Sequence, residues 1–365
     1  PTHPGEAAQN RWLAGNGPFT KKCHRFFEQE LGFPKVLLTS SCTDALEMAS
    51  LLLNIGPEDE VILPSFTFVS TANAFALRGA SLVFADCHAL VPNISAESIR
   101  QSITPKTKAI VLVHYAGIAC EMDEIMEMAE SHGIFVIEDA ALAMDSFYKG
   151  KRLGTFGHLA TFSFHETKNI IAGEGGMLVI NDEQFLARAE ILWEKGTNRA
   201  AFYRGETDKY RWMDLGSSFL PSDMIGAFLY AQLESLEYIQ ALRKEKWRLY
   251  AEQLKGLAEE GLIQLPSFPV GSTNNASMFY LLVNSPEERN FLLDNLRKQH
   301  INAVFHYLPL HQSPFFKEKY NGPALPHTMR FSETLIRLPF FAELTPEQQI
   351  MVTSTLKSLL QGVSS

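Results

Sequence analysis

Short apolar runs that alternate with stretches of helical patterning constrain this chain more than any other feature. Residues 59–63 (DEVIL), 81–85 (SLVFA), 109–114 (AIVLVH) and 134–138 (IFVIE) are β-branched and apolar. Helical stretches lie between them. Residues 43–53 (TDALEMASLLL) place Leu46, Ala49 and Leu53 on one face, and 121–132 (EMDEIMEMAESH) open on acids and close on His132 before Gly133, the polarity that a helix dipole favours. Strands that are apolar along their whole length must be covered on both faces. The pattern therefore predicts an α/β fold with a parallel sheet between helical layers. Residues 36–38, 159–164 (LATFSF) and 177–180 (MLVI) add further strands, and 182–195 a helix.

At 365 residues the chain exceeds what one core normally supports. A large domain over residues 1–240 and a smaller α+β domain over 241–365 are expected. Residues 222–256 read as one bent helix or two, carrying the chain from the first to the second. Strands are expected at 278–283 and 303–307, helices at 287–299 and 346–360, and a boundary loop at 266–275, where Pro, Gly, Ser and Asn concentrate. The formal net charge of −9 argues against a nucleic-acid backbone as partner, although a few local cations can still serve a small anion. Cys23, Cys42, Cys87 and Cys120 form no C-x-x-C pair and no zinc-finger spacing with His, so reduced thiols and no metal site are expected. No apolar run is long enough to cross a bilayer, and residues 1–11 lack the basic head and apolar stretch of a signal peptide, which predicts a cytoplasmic protein.

Four local features carry chemistry, each at the end of a different strand. After the strand at 36–38, Thr39-Ser40-Ser41-Cys42-Thr43 leads straight into a helix. Free amides, the dipole and hydroxyls make an anion site there, and a plain N-cap would use the same residues. Glu138 and Asp139 close an apolar strand, where a carboxylate can hold a protonated ring nitrogen or simply cap the next helix. Lys168 follows the strand SF at 163–164 and precedes Gly173-Glu174-Gly175-Gly176. Most lysines are solvated surface charges, but one desolvated at a strand end has a lowered pKa and can attack an aldehyde. Finally, Phe66 and Phe68 follow Pro64, as a shelf for a flat ring or as ordinary core. A phosphate cradle, a carboxylate, a lysine and an aromatic shelf together are what pyridoxal 5'-phosphate (PLP) requires.

In this order the motifs resemble the DegT/DnrJ/EryC1/StrS family of sugar aminotransferases, from about Gly15 to the closing helix. The resemblance rests on SFHETKN and GEGG around Lys168, EDAA at 138–141 and SFTFVSTANAFALRGA at 65–80. It implies the aspartate aminotransferase fold (fold type I of PLP enzymes), with a mostly parallel seven-stranded central sheet, a smaller C-terminal α+β domain and a homodimer with shared active sites. Within the family the chain looks most similar to the dTDP-4-amino-4,6-dideoxygalactose transaminases, through HETKN at 165–169, EKGTNR at 194–199, DKY at 208–210, GSSFL at 216–220 and FHYLPLH at 305–311. The implied reaction moves an amino group from L-glutamate to C4 of a dTDP-4-keto-6-deoxyhexose, for surface polysaccharide. Amination at C3 is the main rival, and a non-catalytic binding protein on the same fold is another. Sugar dehydratases of the family carry His where Lys168 stands.

Position by position, the resemblance implies that Lys168 forms the Schiff base with PLP and then moves the proton. It implies that Asp139 pairs with the pyridinium nitrogen and that Phe68 stacks on the ring. Cys42 and Thr43 would bind the phosphate mainly through backbone, Ser163 would add a hydroxyl, and Ser218 would reach the phosphate of the neighbouring subunit. His306, Tyr307 and His311 would lie near the sugar nucleotide. Leu142 stands where many relatives have Gln or His, and Cys42 where Gly is usual. The chain starts at Pro1, short of a segment that relatives usually carry, from which weaker substrate binding is expected.

Overall fold

The computed structural model describes residues 3–363. Pro1, Thr2, Ser364 and Ser365, at the outer ends of the two expected domains, lie outside the described residues. The central sheet comprises β1 (Val36–Thr39), β2 (Glu60–Pro64), β3 (Ser81–Ala85), β4 (Thr107–Val113), β5 (Phe135–Asp139), β6 (Leu159–Ser163) and β7 (Gly176–Ile180). Its spatial order is β1-β7-β6-β5-β4-β2-β3. β7 is antiparallel to both of its neighbours, and the pairings from β6 through to β3 are all parallel. Alternate residues feed two separate cores. Leu38, Ile62, Ile110, Leu112, Val136 and Phe162 enter one, while Leu37, Val61, Leu63, Val111, Ile137 and Leu178 enter the other. That is the period of two of an extended chain, with both faces covered.

Helix α1 (Cys42–Leu52) starts directly after β1, with Ser41 as its cap: the Ser41 hydroxyl accepts from the Asp44 amide at 3.1 Å. α2 (Val69–Ala76) follows β2. α3 (Met122–His132) stops at Gly133, whose φ of 65° is the left-handed value that glycine adopts without strain. The expected helix at 182–195 divides into a tight turn, Glu183–Phe185, and a helix, Leu186–Trp193. The stretch from 222 resolves into two helices, α4 (Asp223–Leu233) and α5 (Leu236–Glu259).

A second core surrounds an antiparallel pair, β8 (Tyr280–Leu282) and β9 (Leu335–Arg337), with α6 (Pro286–Lys298) and α7 (Pro346–Val363). Tyr250, Leu254, Phe279, Leu281, Leu292, Ile336 and Leu356 fill it. The expected division at 240/241 falls inside unbroken α5, between Leu236, which packs beneath the large sheet, and Tyr250, which packs in the second core. Residues 303–307 are not the strand that was expected. Only Val304 pairs, with Arg337, through N–H···O bonds of 3.0 and 2.7 Å. The aromatic pattern there serves ring packing instead: the His306 and Tyr307 rings stack with centroids 4.2 Å apart. Cys23, Cys87 and Cys120 are buried free thiols and Cys42 a half-buried one.

Candidate active site

The carboxyl ends of β1, β5 and β6 converge with the first residue of β7. Gly176 pairs with Thr39 on one side and Ser163 on the other. A Cβ at this position would lie 2.4 Å from the Cys42 amide nitrogen, so only glycine lets the β6–β7 connection close against the start of α1. Thr43 joins the starts of α1 and α2, its hydroxyl 2.8 Å from that of Ser70. The Ser163 hydroxyl accepts from the His165 amide at 3.3 Å.

Asp139 ends β5 and is 5% exposed. Its carboxylate accepts from the Thr71 hydroxyl at 2.8 Å and the Ala141 amide at 3.2 Å. Thr67 supports Thr71 through a further hydroxyl contact of 2.8 Å. Burial pushes the Asp139 carboxyl above the usual carboxylate range, against the pull of Thr71, Ala141 and the Lys168 charge. A buried anion placed so gains from a cationic partner, and a protonated ring nitrogen suits it.

Lys168 lies in the β6–β7 connection. That loop is closed by N–H···O bonds from Phe164 to Gly175 (2.8 Å), Glu166 to Gly173 (2.9 Å) and Ala172 to Phe164 (2.7 Å). Its neighbour Asn169 is buried and donates to Gln240 of α5 at 2.8 Å and to the Asn275 carbonyl at 2.9 Å. Lys168 itself is half-buried. Desolvation lowers its pKa, Arg337 adds to the effect, and Cys42 and Asp139 oppose it. The neutral amine, the form that attacks a carbonyl, is thus reached at lower pH than at a surface lysine.

The two phenylalanines separate cleanly. Phe66 is fully buried against Tyr115 and Tyr307, whereas Phe68 is 58% exposed at the start of α2, its ring 6.4 Å from Tyr307. Phe68 is therefore the ring available to a ligand. Burial, and then Asp139, push the Cys42 thiol well above its ordinary pKa, so it is a protonated group rather than a reactive thiolate. Leu142 packs against the apolar cluster around Phe66 and Tyr115, and its carbonyl accepts from Asn275 at 2.7 Å. Cradle, aromatic face, buried carboxylate and desolvated amine fit PLP.

Of the expected sugar-side residues, two join this cluster. Tyr307 stacks beside His306, whose Nε2 receives an Arg337 N–H at 2.5 Å and whose Nδ1 lies 3.4 Å from the Tyr115 hydroxyl. Burial first, then the charges of Arg337 and Lys168, hold His306 at a pKa of about 3, so it is neutral. His311 is placed elsewhere: it is buried, 2.7 Å from the Ser65 hydroxyl, and packs on Phe84 and Tyr320. Ser218 is exposed and pairs with Glu194, while the adjacent Phe219 carbonyl accepts from the Ser40 amide at 2.9 Å.

Sequence reasoning missed the support beneath Asp139. Glu138 is fully buried and accepts from His114 Nε2 (2.9 Å) and the amides of Gly154 (2.8 Å), Phe156 (2.7 Å) and Gly157 (2.8 Å). His114 Nδ1 accepts from the Cys120 amide at 3.3 Å, so Nε2 carries the hydrogen. The only hint in the sequence was an acid at an otherwise apolar strand position. Arg337 and Thr71 carried no local signal.

A mostly parallel seven-stranded sheet that brings a buried acid and a desolvated lysine to its strand ends defines a PLP-type aminotransferase. More specifically, the chain belongs to the DegT/DnrJ/EryC1/StrS aminotransferase family, which it matches over residues 4–357. It is 29% identical over 368 residues to the spore coat polysaccharide biosynthesis protein SpsC of Bacillus subtilis, covering 98% of this chain and 93% of that protein. The aminotransferase TlmJ from Streptoalloteichus hindustanus superposes with a TM-score of 0.91 at 28% identity, over 100% of this chain and 96% of that one. Spr1654 from Streptococcus pneumoniae, solved in PLP, PMP and apo forms, superposes in its PLP form with a TM-score of 0.90 at 26% identity, over 99% and 96% of the two chains. The chain is thus a sugar aminotransferase that depends on PLP. Among the described residues, no helix is long and apolar enough to cross a membrane.

Proposed function

We propose that this enzyme transfers an amino group from L-glutamate to C4 of a dTDP-4-keto-6-deoxyhexose, giving a dTDP-4-amino-4,6-dideoxyhexose of galacto configuration for surface polysaccharide in the cytoplasm. The observation that supports the reading is a buried acid, Asp139, at the end of β5 and a desolvated lysine, Lys168, in the β6–β7 connection, each within reach of the other's charge, with Phe68 exposed at the start of α2. SpsC, named for polysaccharide biosynthesis, supports the class of product. PLP, when bound, supplies the electron sink that allows the amino group to leave one carbon and reach another. Lys168 would hold the cofactor through Nζ and would move a proton at that atom. Asp139 would keep the ring nitrogen protonated, with the Thr71 hydroxyl fixing the carboxylate's orientation. Cys42 and Thr43 offer backbone amides and Ser163 a hydroxyl to the phosphate, and Phe68 covers the ring. His306 and Tyr307 border the sugar, and His311 stays behind them as support.

A homodimer with shared sites accords with the surface around residues 199–215. Tyr203, Tyr210, Trp212, Met213 and Leu215 are all exposed there, Trp212 by 79%. An apolar surface of this kind marks an interface, and it would carry Ser218 towards a neighbour's cradle.

A visible band should form when PLP is added to the purified protein, be lost with L-glutamate, and return with dTDP-4-keto-6-deoxyglucose. A band that is lost and does not return with that sugar would remove the substrate assignment. NMR of the product distinguishes C4 from C3 amination. Asp139→Asn keeps the contact with Thr71 but removes the charge, and should lower turnover by about 100- to 1,000-fold while PLP still binds. Turnover of the variant near that of the wild type would exclude Asp139 as the ring-nitrogen partner.

A further inference from the structure

β1 lies at one edge of the central sheet and, among the described residues, pairs only with β7. In an antiparallel pair alternate residues turn their backbone groups away from the partner strand, and at a sheet edge those groups are left over. Along β1 and just past it, three such amides are taken by other parts of the chain. The Val36 N–H donates to the Glu28 carboxylate at 3.2 Å, that of Leu38 to His24 Nε2 at 3.0 Å, and that of Ser40 to the Phe219 carbonyl at 2.9 Å. Leu38 is held through both of its backbone groups, because its carbonyl accepts from Trp193 Nε1 at 2.6 Å.

His24, on the helix Pro18–Arg25, and Trp193, at the end of the helix Leu186–Trp193, are far apart in the chain and meet at Leu38. Both are buried, and their rings lie 5.7 Å apart at a tilt of 47°. Burial first, then the charges of Lys35, Arg25 and Lys21, hold His24 at a pKa of about 3. The ring is therefore neutral, and Nε2 keeps the lone pair that the Leu38 amide needs. This clamp sits one residue before the turn that offers amides to a phosphate. The turn is stiff within itself: Thr39 Oγ1 donates to the Ser41 carbonyl at 2.7 Å, Ser40 Oγ to the Asp44 carboxylate at 2.7 Å, and the Ser41 hydroxyl accepts from the Asp44 amide at 3.1 Å. Its shape is thus set locally, whereas its place against the sheet is set at Leu38. Amides that are already aimed bind an anion without a further ordering cost.

We propose that His24 and Trp193 are positioning residues for the cofactor's phosphate: by holding both backbone groups of Leu38, they fix where residues 39–43 present their amides. The proposal rests on the reading of that turn as the phosphate site.

The test titrates wild type, His24→Phe, His24→Gln and Trp193→Phe, each as the full chain freed of cofactor, with PLP and with pyridoxal. Affinity is read from the visible band. The two compounds share the aldehyde that meets Lys168 and differ only in the phosphate, so the ratio of their affinities reports on the turn. His24→Phe and Trp193→Phe keep a ring in place and lose the hydrogen bond; in both, PLP affinity should fall by about 10-fold, with pyridoxal affinity unchanged. His24→Gln offers an amide oxygen to the Leu38 N–H and should bind PLP nearly as the wild type does. Circular dichroism reports that each variant is folded, and if one phenylalanine variant fails to fold the other carries the test. Unchanged PLP affinity in a folded phenylalanine variant would overturn the proposal. So would an equal loss for PLP and pyridoxal, which a general loosening of the fold would give. A wild type that binds PLP no more tightly than pyridoxal overturns the reading of the turn as the phosphate site, whereas a wild type that favours PLP beside unaffected variants overturns this inference alone.

Discussion

Replacement of Lys168 by alanine should lower amino transfer by about 10,000-fold or more, the full contribution of a positioned proton carrier, and should leave the fold intact. The structural reason is that Lys168 is positioned by its neighbours rather than holding them. The loop is closed by its own backbone bonds and pinned by Asn169 to Gln240 and Asn275, none of which uses the lysine side chain. Asp139, Phe68 and the start of α1 also remain in place, so the variant should still bind PLP non-covalently. Two measurements check this. Single-turnover kinetics with L-glutamate give the loss of rate. Borohydride reduction followed by peptide mapping should place the cofactor on the Lys168 peptide in the wild type and nowhere in the variant. Normal turnover by Lys168→Ala, or reductive labelling of another lysine, would sink the assignment.

The second large effect is on stability, at a residue that touches no substrate. Glu138→Ala should destabilise the protein by about 3–5 kcal/mol, the cost of leaving several buried donors without their acceptor. The substitution leaves the amides of Gly154, Phe156 and Gly157, and the His114 N–H, facing a methyl group in a fully buried place. Burial alone would raise the Glu138 carboxyl; the hydrogen bond from His114 and those from the Gly157 and Gly154 amides outweigh it and hold the carboxyl below the ordinary glutamate value. A depressed carboxylate pKa contributes stability that is fully present above the unfolded value, about 4.3 for Glu, and is lost as pH falls through the lower folded value. Urea midpoints should therefore separate wild type and Glu138→Ala widely at neutral pH, and the gap should narrow on acidification below about pH 4. A gap that is constant with pH would mean that Glu138 acts through packing alone.

Much of this organisation is legible in the amino-acid order. Continuous apolar strands at 109–114 and 134–138 are expected in the interior and are buried there, whereas 81–85 forms an edge strand, where only Phe84 and Ala85 are fully buried. Gly133 ends a helix because a left-handed residue costs least there. Lys168 could be singled out because a charge beside a buried strand and a glycine-rich turn is out of place on a plain surface. Residues 303–307 misled, since β-branched and aromatic residues favour strands and ring clusters alike, and local pattern does not separate the two. The position of His311 could not be read from its nearness in sequence to His306 and Tyr307: Pro309 and a single tight turn, Leu310–Gln312, carry it onto Ser65.

The sequence by itself determined the layered α/β fold, the cap at Ser41 and the chemical kinds gathered at the strand ends, because these depend on residues near one another along the chain. Only the tertiary structure decided which phenylalanine is exposed, that Glu138 is clasped by a loop from 154–157, and that Tyr280 and Arg337 are cross-strand partners. Burial, desolvation and cross-strand register are properties of contacts between residues far apart in the chain, and they exist only once the sheet and the second core have closed around the site.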